Sequence, residues 1–239
     1  HSLVGYWKLD ETSGTSAADS SGYGNTGTHT NGPTISTTVP TTSFSNPRSL
    51  SFDGTDDYVS VGVIATSVPS LFTVSAWVKP TAGDRGPIAG FGTSSGTTNA
   101  LLFFNDGVND CIGFNTFNND CYGVSPSGII DGNWHHIVGE IYGGGVTSNK
   151  LYIDGVQKTL SQILSSPGSD ALSTTFGIGY NGWYSDSNNV FNGLIDDIRV
   201  YNRVLSATEI TALAAKTHTS ATWDGSSSTN WETAANWDI

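Results

Sequence analysis

Two adjacent carboxylates, Asp196 and Asp197, lie within a strand-like run of residues 192–201. Successive side chains of a strand point to opposite faces of its sheet, so the two acids are expected to serve different purposes. Unbroken alternation divides the run into one side with Leu194, Ile198 and Val200 and a second side with Ile195, Arg199 and Tyr201. A carboxylate beside aliphatic side chains costs free energy unless a cation or hydrogen-bond donors neutralise it. The pair therefore suggests a bound metal ion.

A loop-like segment at residues 19–27 offers further oxygen ligands. Asp19 and Asn25 supply side-chain oxygens, and the glycines between them allow backbone carbonyls to turn toward a common centre. An ordinary surface loop has the same composition. From the residues alone, a metal-binding loop and a plain surface loop both remain open.

A third acidic segment imitates the start of a calcium-binding EF-hand loop with Asp53, Thr55 and Asp57. That loop requires a Glu at its twelfth position, which is Ile64 in this chain, so we reject an EF-hand here. The Asp53-Gly54 pair instead predicts a hairpin turn within residues 48–61.

The two cysteines, Cys111 and Cys121, each stand beside Asp or Asn within strand-like residues. This pattern predicts the two strands of a hairpin with a disulfide bond across it. The stabilisation expected from so short a ring is a little under ~3 kcal/mol. Two free buried thiols are the alternative, but the composition is typical of exported proteins, in which disulfide bonds form.

Composition and charge exclude several classes of function. The formal net charge is −12 with only nine Lys and Arg, so the surface would repel nucleic acid and suits a divalent cation or a neutral sugar better. No apolar run approaches the length that spans a membrane. We expect that the signal peptide of an exported chain has already been removed. The lack of Met, even at position 1, suggests a processed or excised chain. We expect an extracellular or cell-surface location.

The elements that must position these residues are mostly strands. Charged residues make up only 13% of the chain, while β-branched and aromatic residues occur in many short runs between Gly, Ser, Thr and Asn. The clearest strand is 72–80, with Phe72, Val74, Ala76 and Val78 on one face. Many short strands predict a sandwich or jelly roll, in which each sheet buries one face.

One short helix is predicted near the C-terminus. Ser206 and Glu209 form a capping box, and Leu205 with Ile210 forms the hydrophobic staple around it. A helix of about two turns is too short to be stable alone, so it must dock on the end of a sheet.

A series of short motifs follows a specific order over residues 3–215. They are residues 5–11 (GYWKLDE), 19–22 (DSSG) with Gly24-Asn25, 52–59 (FDGTDDYV), 72–80 (FTVSAWVKP), Trp134-His135-His136, 151–155 (LYIDG) and the closing run 192–210. In this order they resemble the laminin G-like branch of the concanavalin A-like jelly-roll superfamily. The resemblance implies an all-β jelly-roll β-sandwich of two antiparallel sheets over residues 1–217, with one short C-terminal helix and the terminal strands side by side.

The resemblance also implies a calcium ion that ties the early loop to the terminal strand. Its ligands would be Asp19, backbone oxygens near Gly22 and Asn25, and either Asp196 or Asp197. Oxygen ligands without nearby His or thiolate favour Ca²⁺ over a transition metal. The resemblance favours Asp196 as the ligand, with Asp197 as a partner for Arg199 or Arg203.

The residues do not predict an enzyme. Glycosidases of the resembled fold use paired carboxylates on one strand, and none of Glu11, Glu140, Glu209 and Glu232 lies in such a pattern. The chain has no Gly-x-Ser-x-Gly motif. His135 and His136 could suggest a base or a metal ligand, but adjacent strand residues point to opposite faces. The resemblance implies that the Trp-His-His pattern is chiefly structural.

We therefore expect a non-catalytic recognition or adhesion module that binds glycans or cell-surface proteins. Loop aromatics stack on sugars and amides bond hydroxyl groups in the resembled fold, which indicates the residues Asn181, Trp183, Tyr184, Asp186 and Asn188, together with Tyr122. The alternative for Trp183 is that it merely covers a sheet edge.

The C-terminal residues 218–239 suggest a second possible role. They contain three Trp and almost no aliphatic residues, and they are a linker or the start of a further surface module. A strand of this tail could pair with a neighbouring copy of the chain. The alternative function is therefore a structural subunit or repeat module of a surface filament or adhesin.

Overall fold

The computed structural model describes residues 2–64, 71–81, 86–91, 101–106, 110–116, 121–166, 175–179 and 190–216, and the short segments 222–223 and 237–238. In chain order the strands are β1 (Leu3–Trp7), β2 (Ser16–Ala17), β3 (Gly27–Thr30), β4 (Thr34–Ser36), β5 (Ser49–Asp53), β6 (Tyr58–Val63), β7 (Phe72–Pro80), β8 (Pro87–Phe91), β9 (Leu101–Asp106), β10 (Cys111–Asn115), β11 (Cys121–Val124), β12 (His135–Ile141), β13 (Lys150–Ile153), β14 (Val156–Gln157), β15 (Ser161–Leu164), β16 (Thr175–Ile178), β17 (Asn192–Tyr201), β18 (Thr222–Trp223) and β19 (Trp237–Asp238). A 3₁₀ turn spans Val146–Ser148, and helix α1 spans Ala207–Leu213.

The strands form two large antiparallel sheets and one small pair. The first sheet has the order β14-β13-β12-β7-β17-β5-β4, and β1 also pairs with β17. The second sheet has the order β15-β11-β10-β9-β8-β16-β6-β3-β2. β18 pairs with β19. The predicted all-β jelly-roll sandwich is confirmed.

The hydrophobic core lies between the two large sheets. Aromatic rings from opposite sheets meet there: Trp7 stacks on Phe176 with centroids 5.2 Å apart, and Phe72 meets Phe91 at 5.1 Å. Such pairs combine a large buried apolar area with favourable ring geometry. The alternating face predicted for β7 points into this core, because Phe72, Val74, Ala76 and Val78 are all buried in it.

β17 is the strand on which the first sheet is built. Along one edge it pairs with β7, and along the other it pairs first with β5 and then with β1. The N-terminal and C-terminal strands of the domain therefore lie side by side, as predicted.

A β-bulge interrupts β17 and overturns the predicted division of its faces. Ile195 is opposite Val78 and Val200 is opposite Val74, so both point into the core although five positions separate them. The register shifts between Asp196 and Arg199, and Asp197 has a φ of 50°. One extra residue at a bulge reverses the alternation of the strand. Ile195 and Ile198 consequently share the inner face, whereas both carboxylates serve the outer side.

The predicted hairpin at Asp53-Gly54 is wrong. β5 pairs with β4 and β17 in the first sheet, while β6 pairs with β3 and β16 in the second. Gly54 has a φ of 75°, so the segment does turn sharply, but it carries the chain from one sheet to the other.

Helix α1 has the predicted capping box: Ser206 accepts from the backbone of Glu209, and the Glu209 side chain accepts from the backbone of Ser206. Leu205 and Ile210 are buried together against Val138 and Tyr152. The helix thus covers the outer face of β12 and β13 rather than the end of a sheet.

The predicted disulfide bond between Cys111 and Cys121 is present, with their Cα atoms 6.8 Å apart. β10 and β11 pair as the predicted hairpin. In the described part of the chain, no helix is both long and apolar enough to cross a lipid bilayer.

Candidate ligand-binding site

A cleft of about 400 Å³ opens on the outer side of the first sheet, beside the bulge. We call it the Tyr6–Phe44 cleft; it lies between β1, β17 and the segment 44–46. Its lining residues are Tyr6, Lys8, Asp10, Phe44, Ser45, Asn46, Asp197 and Arg199. The bulge lies at this cleft, because Asp197, which has a φ of 50° within the register shift, is one of the lining residues.

Arg199 is held rigidly at one wall of the cleft. Its Nη2 donates to the Tyr6 hydroxyl at 3.0 Å and to Oδ1 of Asp197 at 3.1 Å. The guanidinium lies over the Tyr6 ring, 4.5 Å from its centroid, and 5.2 Å from the centroid of Phe44. These contacts combine a buried ion pair with cation–π attraction. The positive charge of Arg199 is thus used within the protein.

Asp197 and Asp196 are both buried at the bulge. Burial raises the pKa of Asp197, and the charge of Arg199 opposes this shift. Burial raises the pKa of Asp196 to about 9, although a hydrogen bond from Asn46 opposes the shift. That bond runs from Asn46 Nδ2 to Oδ2 of Asp196 at 2.7 Å. Asp196 therefore carries a proton at neutral pH, which removes one buried charge.

Asp10 is a third acid, and it lines the cleft together with Asp197. The backbone N–H of Arg48 donates to its carboxylate, and burial is the main cause of its raised pKa. Among the described residues, no hydrogen-bond donor reaches Oδ1 of Asp10 or Oδ1 of Asp196, whereas Oδ2 of Asp197 lies 3.1 Å from Nη2 of Arg199. Buried polar atoms are normally hydrogen-bonded, so two such oxygens at one place indicate a missing partner. The sequence reasoning did not select Asp10, although it lies in the GYWKLDE motif.

The loop at residues 19–27 is organised differently from the predicted metal site. Oδ1 of Asp19 accepts from the backbones of Tyr6 and Ser21, at 3.0 and 2.8 Å. Oδ2 accepts from the Ser21 hydroxyl and from the backbone of Asn25, both at 2.8 Å. The carboxylate of Asp19 therefore closes its own loop, whose turn includes Gly22 with a φ of 89°.

The structure divides the predicted ligand set between two edges of β1. Trp7 forms a bridge with Asp19 on one edge and pairs with Ile198 of β17 on the other. Neighbouring strands are about 4.8 Å apart, so roughly 10 Å separates these two chains. Asp196 and Asp197 lie together, whereas Asp19 and Asn25 lie beyond β1. Asn25 Nδ2 donates to the carbonyl of Val4 at 2.7 Å.

Comparison with known proteins now places the chain in a family. The model of a laminin G family, described as the concanavalin A-like lectin/glucanases superfamily, matches residues 53–211. The chain belongs to this superfamily. A comparison with curated protein sequences finds no match.

Solved structures with a similar fold include an arabinanase domain, a neurotoxin binding domain and a sialidase. Domain 4 of AbnA, a GH43 extracellular arabinanase from Geobacillus stearothermophilus, solved with arabinotriose, has a TM-score of 0.59 at 23% identity, covering 90% of this chain and 98% of that one. The botulinum neurotoxin serotype D binding domain has a TM-score of 0.58 at 16% identity, and the match covers 89% of this chain and 51% of that one. A mutant Trypanosoma rangeli sialidase has a TM-score of 0.56 at 17% identity, and the match covers 89% of this chain and 32% of that one. At these identities the similarity establishes the fold.

The predicted sugar-binding loop of this superfamily domain lies outside the described residues. This applies to Asn181, Trp183, Tyr184, Asp186 and Asn188. Tyr122 is described: it is half-buried in β11 opposite Phe114 and packs against the hydrophobic core. The prediction for the loop therefore remains open beside the Tyr6–Phe44 cleft.

The two adjacent histidines have structural environments. His135 lies between two carboxylates, with Nδ1 2.8 Å from Asp154 and Nε2 3.0 Å from Asp131. The hydrogen bond to Asp154 is the main cause of its raised pKa. His136 is fully buried against Trp77, and burial lowers its pKa to about 3, so it stays neutral.

A second acidic group lies on the surface, where oxygens of Asp53, Asp56 and Asp57 are within 4.8 Å of one another. It is the one such group of three potential metal ligands among the described residues. Two of its acids are exposed. Its carboxylates also accept hydrogen bonds from within the group's own segment: Asp57 accepts one from the backbone N–H of Asp53 at 3.0 Å, and Asp53 accepts one from the backbone N–H of Thr55 at 2.8 Å.

Replacing Arg199 by Lys tests the rigid wall of the cleft. Lysine keeps the charge but cannot stack between two rings while it bonds both Tyr6 and Asp197. We expect the free energy of unfolding to fall by about 1–3 kcal/mol, because a buried partner loses its donor. Urea unfolding followed by Trp fluorescence measures this loss.

The matched control is Arg203→Lys. Arg203 pairs with Glu209, but both side chains are more than 40% exposed. Exposed ion pairs contribute about 0–1 kcal/mol, so this variant should remain close to the parent. Equal losses in the two variants would contradict the structural role assigned to Arg199.

Proposed function

We propose that this domain is a non-catalytic, extracellular recognition module that binds a glycan in the Tyr6–Phe44 cleft. The observation that carries the proposal is the combination within one cleft of two aromatic rings and an oxygen of Asp10 that has no donor among the described residues. Sugars offer the complement to both, because their C–H faces stack on rings and their hydroxyls donate hydrogen bonds.

Several properties of the superfamily members support this ligand class. Domain 4 of the arabinanase was solved with arabinotriose, and the neurotoxin domain is a binding domain. Each is only distantly related in sequence, so its ligand is not transferred to this chain. The cleft of this chain provides the independent argument.

The carboxylates of the cleft are poorly arranged for glycoside hydrolysis. That reaction needs one accessible acid and one accessible carboxylate on either side of the scissile bond. Asp196 holds a proton but is fully buried and does not line the cleft. Asp197 is engaged by Arg199. A module that binds without catalysis fits this arrangement better.

An extracellular location is part of the proposal. The disulfide bond between Cys111 and Cys121 favours an oxidising compartment. The net charge of −12 and the low number of Lys and Arg fit a surface exposed to neutral or cationic partners.

The alternative role in assembly has weaker support. Within the described part of the tail, β18 pairs with β19 of the same chain. The boundary at residue 217 and pairing with a neighbouring copy remain predictions. Recognition in the cleft is therefore the preferred function.

A glycan titration tests the proposed function by comparing the Tyr6–Phe44 cleft with the predicted sugar-binding loop that contains Trp183. Calorimetry with arabinotriose, cellotriose, tri-N-acetylchitotriose and glucosamine trimer should show binding of at least one sugar to the parent. We expect Phe44→Ala to weaken it about tenfold or more, equal to about 1.4 kcal/mol, because a stacking surface is lost. The affinity of Trp183→Ala for the same sugar should stay within about twofold of that of the parent.

The exposed Tyr23→Ala serves as the aromatic control and should bind like the parent. The reverse pattern, with binding lost in Trp183→Ala and kept in Phe44→Ala, would move the site to the predicted loop. Absence of binding to every sugar in the panel would contradict the proposed function.

We also propose that calcium stabilises the fold at the bulge. Oδ1 of Asp10 and Oδ1 of Asp196 have no donor among the described residues and suit a hard cation, whereas the carboxylate of Asp19 already accepts four hydrogen bonds. The oxygens of Asp10, Asp196 and Asp197 do not converge as those of Asp53, Asp56 and Asp57 do, so binding requires side-chain rotation.

Thermal melts with calcium and with chelator test this second proposal. Binding to the folded state alone raises stability by about 2.7 kcal/mol at a hundredfold excess over Kd. We expect a higher midpoint with calcium for the parent and for Asp19→Asn, and no calcium effect for Asp196→Asn. A shift lost only in Asp56→Asn would place the ion at the surface group. If calcium leaves the melting midpoint of the metal-free protein unchanged, the proposal is contradicted.

A further inference from the structure

We propose that His136 makes the docking of helix α1 acid-sensitive, so that acidification loosens residues 207–216 from the outer face of the first sheet. Neither the proposed glycan site nor the proposed calcium site takes part. The feature that carries this proposal is an imidazole that the fold encloses completely and leaves without a hydrogen-bond partner among the described residues.

The imidazole of His136 is sealed on the outer face of the first sheet. His136 is directly opposite Trp77 in the pairing of β12 with β7, and the two ring centroids are 5.1 Å apart. Both residues are 0% exposed, and neither ring nitrogen of His136 has a hydrogen-bond partner in the described part of the chain. An imidazolium in this place would lose its hydration without a replacement, so the fold accepts the neutral ring.

Helix α1 and the residues after it cover this part of the sheet. Ile210 of the helix packs against Val138, which lies two residues from His136 in β12 and on the same face. The ammonium of Lys216 lies over the ring of Trp77, 5.9 Å from its centroid. Movement of residues 207–216 away from the sheet would therefore admit water to Trp77 and His136.

The positive charges around His136 oppose its protonation. Burial is the main cause that lowers the pKa of His136 to about 3, and the charge of Arg199 on β17 lowers it further. Lys216 adds a positive charge at the Trp77 ring. Lys79 adds another, because it lies two residues from Trp77 in β7 on the same face of the sheet.

The neighbouring acids do not compensate for these charges. Oδ1 of Asp154 accepts from the backbone N–H of His136 at 2.9 Å, and its Oδ2 is 2.8 Å from the ring of His135. Its attraction for an imidazolium at His136 is weaker than the opposing effects of burial and of the arginine. Oε2 of Glu140, farther along β12, accepts from two tyrosine hydroxyls. Asp196 carries a proton at neutral pH and adds no negative charge.

Docking of the helix should lose stability as the pH falls. Once water reaches it, His136 titrates near its ordinary pKa of 6.5, whereas in the docked state its pKa is about 3. The docked state is therefore fully favoured above pH 6.5 and is progressively disfavoured as the pH falls from 6.5 toward 3. Within this window the population of the open state rises by up to about tenfold per pH unit.

The other titratable groups of this region act in different pH windows. The pKa of His135 is raised, mainly by its hydrogen bond to Asp154, so its stabilising effect is lost above pH 6.5. The pKa of Glu209 in the helix is lowered to about 2, mainly by its hydrogen bond from Arg203, so its effect is lost below its ordinary value of 4.5. Between pH 6.5 and about pH 5, His136 is the group of this region whose titration loosens the helix.

Hydrogen exchange of the full chain, followed by mass spectrometry, measures the opening of residues 207–216. Rates are expressed as protection factors, which remove the intrinsic pH dependence of exchange. For the parent we expect the protection of this segment to fall about tenfold or more between pH 6.5 and pH 5. The protection of β7 and β17 should change much less, because these strands stay in the sheet.

Variants at two buried histidines locate the effect. His136→Phe keeps a ring against Trp77 but cannot titrate, so the protection of residues 207–216 should change by less than about threefold over the same pH range. His29→Phe is the matched control: burial also lowers the pKa of His29, but it lies in β3 of the second sheet. Its segment 207–216 should respond to pH like that of the parent. Thermal melts verify that both variants are folded.

NMR spectra of the histidine rings provide a second test that needs no substitution. In the parent, the ring of His136 should stay neutral from about pH 7 to about pH 5. A ring that titrates near pH 6.5 in the folded protein would overturn the proposal. So would an unchanged protection of residues 207–216 in the parent, or an equal loss in His136→Phe. A loss of equal size in all strands would indicate global unfolding and would also overturn it.

Discussion

The extra residue at Asp197 is the constraint on which the first sheet depends. β17 must bury Ile195 against β5 and β7, and then Ile198 and Val200 against β1 and β7. These residues are out of phase for an unbroken strand, so a bulge is required to keep all three in the core. Without it, one half of β17 would turn its aliphatic side chains to the outer face.

The bulge has an electrostatic cost that shapes the outer side of the sheet. Two adjacent carboxylates become buried there, and burial of charge is unfavourable unless it is paired or neutralised. Asp197 is paired with Arg199, and Asp196 is bonded by Asn46 and protonated at neutral pH. Phe44 and Tyr6 enclose the guanidinium. The same side chains that compensate for the bulge form the walls of the cleft, so fold stability and the proposed binding chemistry share one site.

Much of the fold was predictable because it rests on local patterns. The alternation in 72–80 predicts a core strand, and Ser206 with Glu209 predicts the helix start. The face assignment at Asp196 and Asp197 failed because alternation assumes a regular strand, and a bulge has no clear signature in a run of strand-forming residues. The Asp53-Gly54 turn was predicted correctly as a turn, but sheet membership depends on distant partners.

The candidate site was only partly predictable for the same reason. The paired acids attracted attention through their burial cost, and this argument led to the correct strand. Asp10 follows β1, whereas Phe44 and Asn46 belong to the segment 44–46, and only the folded chain brings them to Arg199 and Asp197. Asp19 matches a ligand-like composition, yet the structure uses its carboxylate to close a loop. Composition alone does not distinguish these two uses.

The most direct test of the account is to map where a sugar touches the folded domain. Two-dimensional ¹H–¹⁵N NMR spectra of the labelled protein, recorded during addition of the sugar that binds the parent in calorimetry, report perturbed backbone amides residue by residue. The account predicts that the perturbations cluster in residues 6–10, 44–46 and 196–199. Perturbations confined to residues 181–189 or to the vicinity of Tyr122, with these three segments unchanged, would contradict it.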